Sequence, residues 1–429
     1  MADPLTFSQF FCQDSESNSE VVQNQTCDSN TEENFDNESP KDSERKTKVK
    51  TRKKRTTWTN ELWLTRDTEG EFAVLFKKLQ QDEENFKLYF RMSQKKFYDL
   101  LQILTPYIRK KWTPMRSAID PNERLAVTMK YLSGEAYSSI ASRYRMGITT
   151  IAKCVFETCD AICTALQPLA MPLPNEETFH RTEQEFARLG FPNCLGVMDG
   201  RFLTIHAKST KTGQKVHRTS SLVLLCIVDS NGKFILVDVG NYNGDTGSGI
   251  FSNSKLGTEI ELHTFRTLPD KALPGTDKKL PHVFVGNASL PMKRNILRPY
   301  GSPSSDTELA FNDKLAEFRE RFADKCFRDL CDKFQIYSDG IQTSLKNVEK
   351  LIMATCILHN FLIDDDVFFG EEEHDNLGFS DLPLCAKEKK NCDALIRDKF
   401  AEYFVSSNSQ TENVSEISKY HGSLWQQNY

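Results

Sequence analysis

The sequence predicts a mixed α/β layer preceded by an all-helical region. Three observations predict it. Cys194-Leu195-Gly196-Val197-Met198, Leu222–Val228, Phe234–Val239 and His282-Val283-Phe284-Val285 are short apolar runs of strand length. Asn231-Gly232 joins the second and third as a hairpin signal. Long helical patterns lie on either side of the runs, and strands with helices on one core make an α/β layer.

The first run stops at Asp199-Gly200. Asp-Gly is also a common turn dipeptide, so the aspartate stands either in a bland turn or at the rim of a sheet. Open α/β sheets place their chemistry at that rim. The fourth run stops in the same way, at Gly286-Asn287.

From the start of the chain, residues 1–45 carry 11 Asp and Glu against only Lys41 and Arg45. They bury too little apolar surface to offset ordering entropy and are expected to be disordered. Residues 46–55 then hold seven positive charges, with Lys50, Arg52, Lys53, Lys54 and Arg55 at their centre. That run reads as a nuclear import signal, as a contact to a DNA backbone, or as a solvated charge run beside an acidic tail. Residues 1–57 form one unit on this reading.

Residues 58–170 are expected to be helical. Phe72, Leu75, Phe76 and Leu79 share one face. Ser93 is a candidate N-cap for a helix through Phe97, Leu100, Leu101 and Leu104, closed by Pro106. Within 119–168, Asp120-Pro121-Asn122-Glu123 starts a helix that ends at Ser133-Gly134. A short helix follows from Ala136 to Tyr144. Met146-Gly147 breaks the chain again, and Thr149-Thr150 is expected to cap a long helix to Leu166. This order is that of a helix-turn-helix, and also that of many three-helix bundles. In the former, Thr149, Thr150 and Lys153 face the major groove while Arg143 and Arg145 meet phosphates. Residues 171–193 supply a linker and an amphipathic helix carrying Phe179, Phe186 and Leu189.

The net charge of −5 conceals strong segregation along the 429 residues. No stretch reaches the roughly 18 apolar residues of a membrane span. The N-terminus lacks a basic region followed by an apolar run, so no signal peptide is expected. Twelve cysteines without a Cys-x-x-Cys pair read as reduced, buried thiols of an intracellular protein.

Four segments together resemble the DDE-type transposases of the PIF/Harbinger superfamily and their domesticated derivatives. Ser133–Ala141 with Gly147–Ile151 resembles that family's helix-turn-helix. Phe191–Gly200 resembles its first catalytic strand, Gly249–Gly257 a motif after the third strand, and Ala354–Leu362 the helix that closes the domain. The resemblance implies an RNase H-like mixed sheet with flanking helices over 194–365. There the first and fourth strands lie parallel, and Asp, Asp and Glu hold Mg²⁺ or Mn²⁺ for phosphodiester cleavage.

Matched residue by residue, the site departs from this pattern. The first position is Asp199, the second is Asn287 in place of Asp, and the third is Asp324 in place of Glu. Asp199 and Asp324 are the remaining metal-ligand candidates, with Glu320 as a substitute one turn earlier or another register as alternatives. A further family aspartate falls on Gly247, beside Asp245, and the family's Asn-Tyr-Lys segment is here Lys215-Val216-His217-Arg218. The reading is a nuclear, transposase-derived DNA-binding protein with a degraded metal site. The alternative is an active divalent-metal-dependent DNA endonuclease. Partners implied by the resemblance are DNA and a separate Myb/SANT-like protein; no membrane is expected. His359 is read as a core histidine, and residues 366–429 as an acidic, polar, mobile segment with a candidate helix around Leu395 to Phe404.

Overall fold

A computed structural model describes residues 61–111, 118–209, 216–338, 341, 345–365, 378–385 and 392–406. The acidic N-terminal segment and the basic run with Lys50, Arg52, Lys53, Lys54 and Arg55 lie outside these residues, as do Glu371, Glu372 and Glu373.

The helical region comes first; among the described residues its helices of seven residues or more are α1 (Glu71–Leu79), α2 (Glu83–Phe90), α3 (Gln94–Ile108), α4 (Pro121–Leu132), α5 (Tyr137–Arg143), α6 (Ile148–Ala161) and α7 (Glu176–Arg188). Side-chain caps start several of them. Asp82, Ser93, Asp120 and Asn175 each accept a hydrogen bond from a backbone N–H in the following turn. Two starts and stops differ from the sequence reading. Pro106 does not close α3 but lies inside its last turn, where its missing N–H removes only one bond, at a fraying end. Thr149 and Thr150 do not cap α6. Gly147 does, in an extended conformation and without a side-chain bond, its Cα backed by the Trp63 ring.

The strands form a six-stranded mixed sheet of order β3-β2-β1-β6-β7, with β8 also paired to β1. They are β1 (Cys194–Ser209), β2 (Val216–Val228), β3 (Phe234–Gly240), β6 (Val283–Val285), β7 (Ile296–Leu297) and β8 (Phe379–Asp381). A small hairpin of β4 (Lys271–Ala272) and β5 (Lys279–Leu280) stands apart. Strands β1 and β2 are antiparallel, as are β2 and β3, whereas β1 and β6 run parallel. Every residue from Leu222 to Val228 is buried, which explains why β2 reads as a continuous apolar run and not as an alternation.

Strand β1 does not end at Asp199-Gly200. It continues through Ser209, paired with β2 along its whole second half. Gly200 permits this because a Cβ there would come within 2.6 Å of Leu382 Cδ1 and 2.7 Å of Leu225 Cδ2. The Asp-Gly pair is therefore a point of close packing inside a strand.

After the sheet come α8 (Gly247–Asn253), α9 (Lys255–Glu261), α10 (Asp306–Phe318), α11 (Lys325–Lys333) and α12 (Leu345–Leu362), then a last helix, α13, over 392–406. A π-helical turn, Arg319–Asp324, joins α10 to α11. Helix α7 packs along β1, and α12 packs on both β3 and α6, so the helical region and the sheet share one core. Residues 57–429 accordingly group as one compact unit. The end of the chain is more structured than its composition implies. β8 joins the sheet, and Phe400 and Phe404 of α13 are buried with Phe191. Among the described residues no helix is long and apolar enough to cross a membrane, and their cysteines form no disulfide.

His359 on α12 is buried. Its Nε2–H donates to the Gly232 carbonyl at 2.9 Å, with Cys326 Sγ at 3.6 Å. Burial holds its pKa down at about 4. The unfolded chain therefore takes up a proton between pH ~6.5 and ~4 that the folded chain refuses. Stability conferred by the neutral ring is complete above that window and is lost as pH falls through it, by up to about 3 kcal/mol. Urea denaturation of wild type and His359→Gln across pH 7.5 to 4.5 should show the variant losing distinctly less stability on acidification.

Candidate active site

Parallel pairing of β1 and β6 puts Val197 opposite Val285. Two residues further along each strand stand Asp199 and Asn287. The Asn287 side chain reaches across, and its Nδ2 donates to Asp199 Oδ1 at 2.5 Å. Its own Oδ1 accepts the backbone N–H of Ser289 at 2.9 Å. That second bond fixes the amide orientation, so nitrogen and not oxygen faces the carboxylate. Gly200 N–H donates to the same Asp199 oxygen at 2.8 Å.

The other Asp199 oxygen is taken by arginine. Arg201 Nε and Nη2 lie 3.1 and 3.0 Å from Oδ2, and Arg319 Nε lies 3.4 Å from it. Asp199 is 0% exposed. Burial pushes its carboxyl above the ordinary carboxylate range, while Arg201 and Arg319 pull it back.

Asp324, the last residue of the π turn, does not touch Asp199 directly. Its Oδ1 is bonded to Arg201 Nη2 and lies 3.7 Å from Arg319 Nη2. The wider π turn brings its first and last residues, Arg319 and Asp324, onto one side of the helix. Glu320, the substitute one turn earlier, is exposed. Gly247 has no room for any side chain: a Cβ there would lie 1.9 Å from the Ser289 carbonyl oxygen. Neighbouring Asp245 is exposed.

Sequence reasoning missed three members of the cluster. Arg201 and Arg319 are two, and Asp381 on β8 is the third. Arg201 Nη1 and Arg319 Nη2 both bond Asp381 Oδ1, at 2.8 and 2.9 Å. Burial works against the Arg201 charge, but Asp199, Asp381 and Asp324 outweigh it and hold the guanidinium above its ordinary pKa. The Phe327 ring backs it at 5.2 Å. The visible signal was a charged residue, Arg201, two positions past the aspartate and followed directly by apolar Phe202 and Leu203. Nothing local announced Asp381.

Three carboxylates and two guanidiniums thus pair with one another, although the buried Arg319 Nε faces Asp199 without a hydrogen bond. As donors for a divalent cation they fit poorly. Both oxygens of Asp199 already accept hydrogen bonds, Asn287 presents an N–H, and the arginines stand against the carboxylates where a cation has to approach. Among the described residues no group of three or more His, Cys, Asp or Glu is arranged to hold a metal ion.

The groove-reading candidates lie on α5, on α6 and, for Arg145, in the turn between them. Thr149 and Lys153 are exposed and Thr150 is half-buried. Arg143 is paired with Glu71 at 3.1 Å and with Glu135, and Arg145 with Glu69 at 2.7 Å. Lys153 is 3.8 Å from Glu157.

Residues 204–360 match the family model described as DDE superfamily endonuclease. Over 273 residues the chain is 19% identical to the putative nuclease HARBI1 of Mus musculus, an alignment covering 62% of this chain and 74% of that protein. No solved structure matches. The span 204–360 contains Asn287 and Asp324, begins just after Asp199 and ends before Asp381.

Proposed function

We propose, from the match of residues 204–360 to the DDE superfamily endonuclease model, that this chain is a transposase-derived nuclear DNA-binding protein that keeps the endonuclease fold and has lost efficient strand cleavage. The sheet order, with β1 parallel to β6 and antiparallel to β2, supports an RNase H-like reading. The observation that carries the loss of cleavage is the occupation of Asp199 by Arg201, Arg319 and the Asn287 amide. Mg²⁺ or Mn²⁺ would supply charge stabilisation and an activated water in such a fold. The donor set here fits neither ion, because both oxygens of Asp199 are already bonded and Asn287 presents an N–H.

Under this reading α4, α5 and α6 act as a helix-turn-helix. Thr149 and Lys153 face outward, ready for a groove, with Thr150 partly covered. Arg143 and Arg145 reach phosphates only by exchanging Glu71, Glu135 and Glu69 for them, an exchange of one anion for another. The basic run at 46–55 serves nuclear import. A Myb/SANT-like protein is the proposed partner, and the chain's acidic segments suit a basic surface on it.

The test is incubation of purified protein with supercoiled plasmid and short duplexes, in Mg²⁺ or Mn²⁺. Salt-dependent binding without nicking is expected, with Lys153→Ala weakening binding several-fold. Nicking by the wild type that vanishes in Asp199→Ala would overturn the reading in favour of an active metal-dependent endonuclease.

A further inference from the structure

We propose that Arg201 and Arg319 form a binding site for a phosphate group, and that Asp381 is a carboxylate plug that fills it. The cluster has an inside and an outside. Asp199, 0% exposed, and Asp324 hold the inner sides of both guanidiniums. The outer N–H groups of the two arginines converge on a single oxygen, Asp381 Oδ1, whose side chain is 59% exposed. The two inner carboxylates already balance the two guanidiniums. Asp381 is the third anion, and the only one of the three that water reaches freely. Without it, two planar forks would aim their donors outward from a neutral, pre-organised base, an arrangement suited to a phosphate's oxygens.

The plug arrives on a strap with its own seats. Residues 379–381 pair with 201–203 of β1. Leu382 packs over Gly200. The Leu382 carbonyl accepts from Ser289 Oγ at 2.7 Å, and the Pro383 carbonyl from Gly247 N–H at 2.9 Å. Gly247 has no space for a side chain because Pro383 O and Ser289 O close on it. Position 247, where the resemblance expects another acid, is thus given over to seating the strap. The contact with Asp381 itself is exposed, and exposed ion pairs are weak, so an incoming anion can displace this carboxylate while the strap stays seated.

That the phosphate belongs to a nucleic-acid backbone rests on the proposed function; the anion site itself does not. Both sources are distinguished by measuring two ligands, inorganic phosphate by calorimetry and a fluorescent oligonucleotide by anisotropy over a salt series. Wild type, Asp381→Asn and Asp381→Asn with Arg319→Gln are compared, with Asp381→Ser as a second form of the open site and thermal melting as the fold control. Opening the site should tighten oligonucleotide binding about tenfold and steepen its log–log salt dependence by about one, and the Arg319→Gln change should abolish both effects. A gain for inorganic phosphate alone supports the site with free phosphate as its ligand. No gain for either ligand in either open form overturns the proposal, as does a gain that survives Arg319→Gln. Neither result bears on whether plasmid is nicked, so the two readings fail separately.

Discussion

Replacing Arg201 by methionine is expected to lower the unfolding free energy by about 3–5 kcal/mol, the usual cost of leaving a buried partner charge uncompensated. Arg201 is 15% exposed and touches Asp199, Asp324 and Asp381 at once. Its loss leaves the charge of Asp199, entirely buried, with the longer contact to Arg319 as its cationic partner. The same change opens a place for a cation beside three carboxylates. Millimolar Mn²⁺ should therefore raise the melting temperature of the variant while leaving the wild type unmoved, since a ligand that binds only the folded state stabilises it in proportion to its saturation. Equilibrium urea unfolding and a thermal melt with and without Mn²⁺ measure both parts. A loss below about 1 kcal/mol would show that the arginine is an ordinary surface ion pair.

Asn287→Asp should cost about 3 kcal/mol. The Nδ2 bond to Asp199 is charge-assisted, and such bonds contribute about 1.5–3 kcal/mol. Substitution removes that donor and sets a second carboxylate against Asp199 at hydrogen-bond distance, adding like-charge repulsion. The strand register is unchanged, so the effect is electrostatic and Mn²⁺ should recover part of it. Unaltered stability of Asn287→Asp in urea would mean that the amide does not face Asp199 as described.

What the sequence made legible follows from where the information lies. Val283–Val285 and Leu222–Val228 are apolar because both faces of those strands are covered, and burial of that kind is written locally. Caps at Ser93 and Asp120 are local too. The convergence of positions 199, 287 and 324 could be expected only through resemblance to a family, because these residues meet by topology. The arginines could not be anticipated in their role. Arg201 looks like the end of a strand until Asp324 and Asp381, each more than a hundred residues away, are known to receive it. Pattern also misled at Gly200, where a turn dipeptide proved to be a contact point for Leu225 and Leu382. The acidic composition near the C-terminus hid β8, three residues too short for any alternation to show.

Substituting arginines for metal ions changes what the carboxylates do. In a metal site, like charges repel until cations arrive, and the empty site is strained. Here the cations are covalently part of the chain, and the same acids hold α10, α11, β1 and β8 together. On the proposed function, a nuclease-type fold is thereby held together by carboxylates at the positions where its metal ligands are expected.

The most direct test is a calorimetric titration of the wild-type protein with Mn²⁺, alongside Asp199→Ala. The wild type is expected to show no saturable heat that Asp199→Ala removes. Stoichiometric Mn²⁺ binding that is present in the wild type and absent from Asp199→Ala would contradict it, placing a metal where Arg201 and Arg319 now stand.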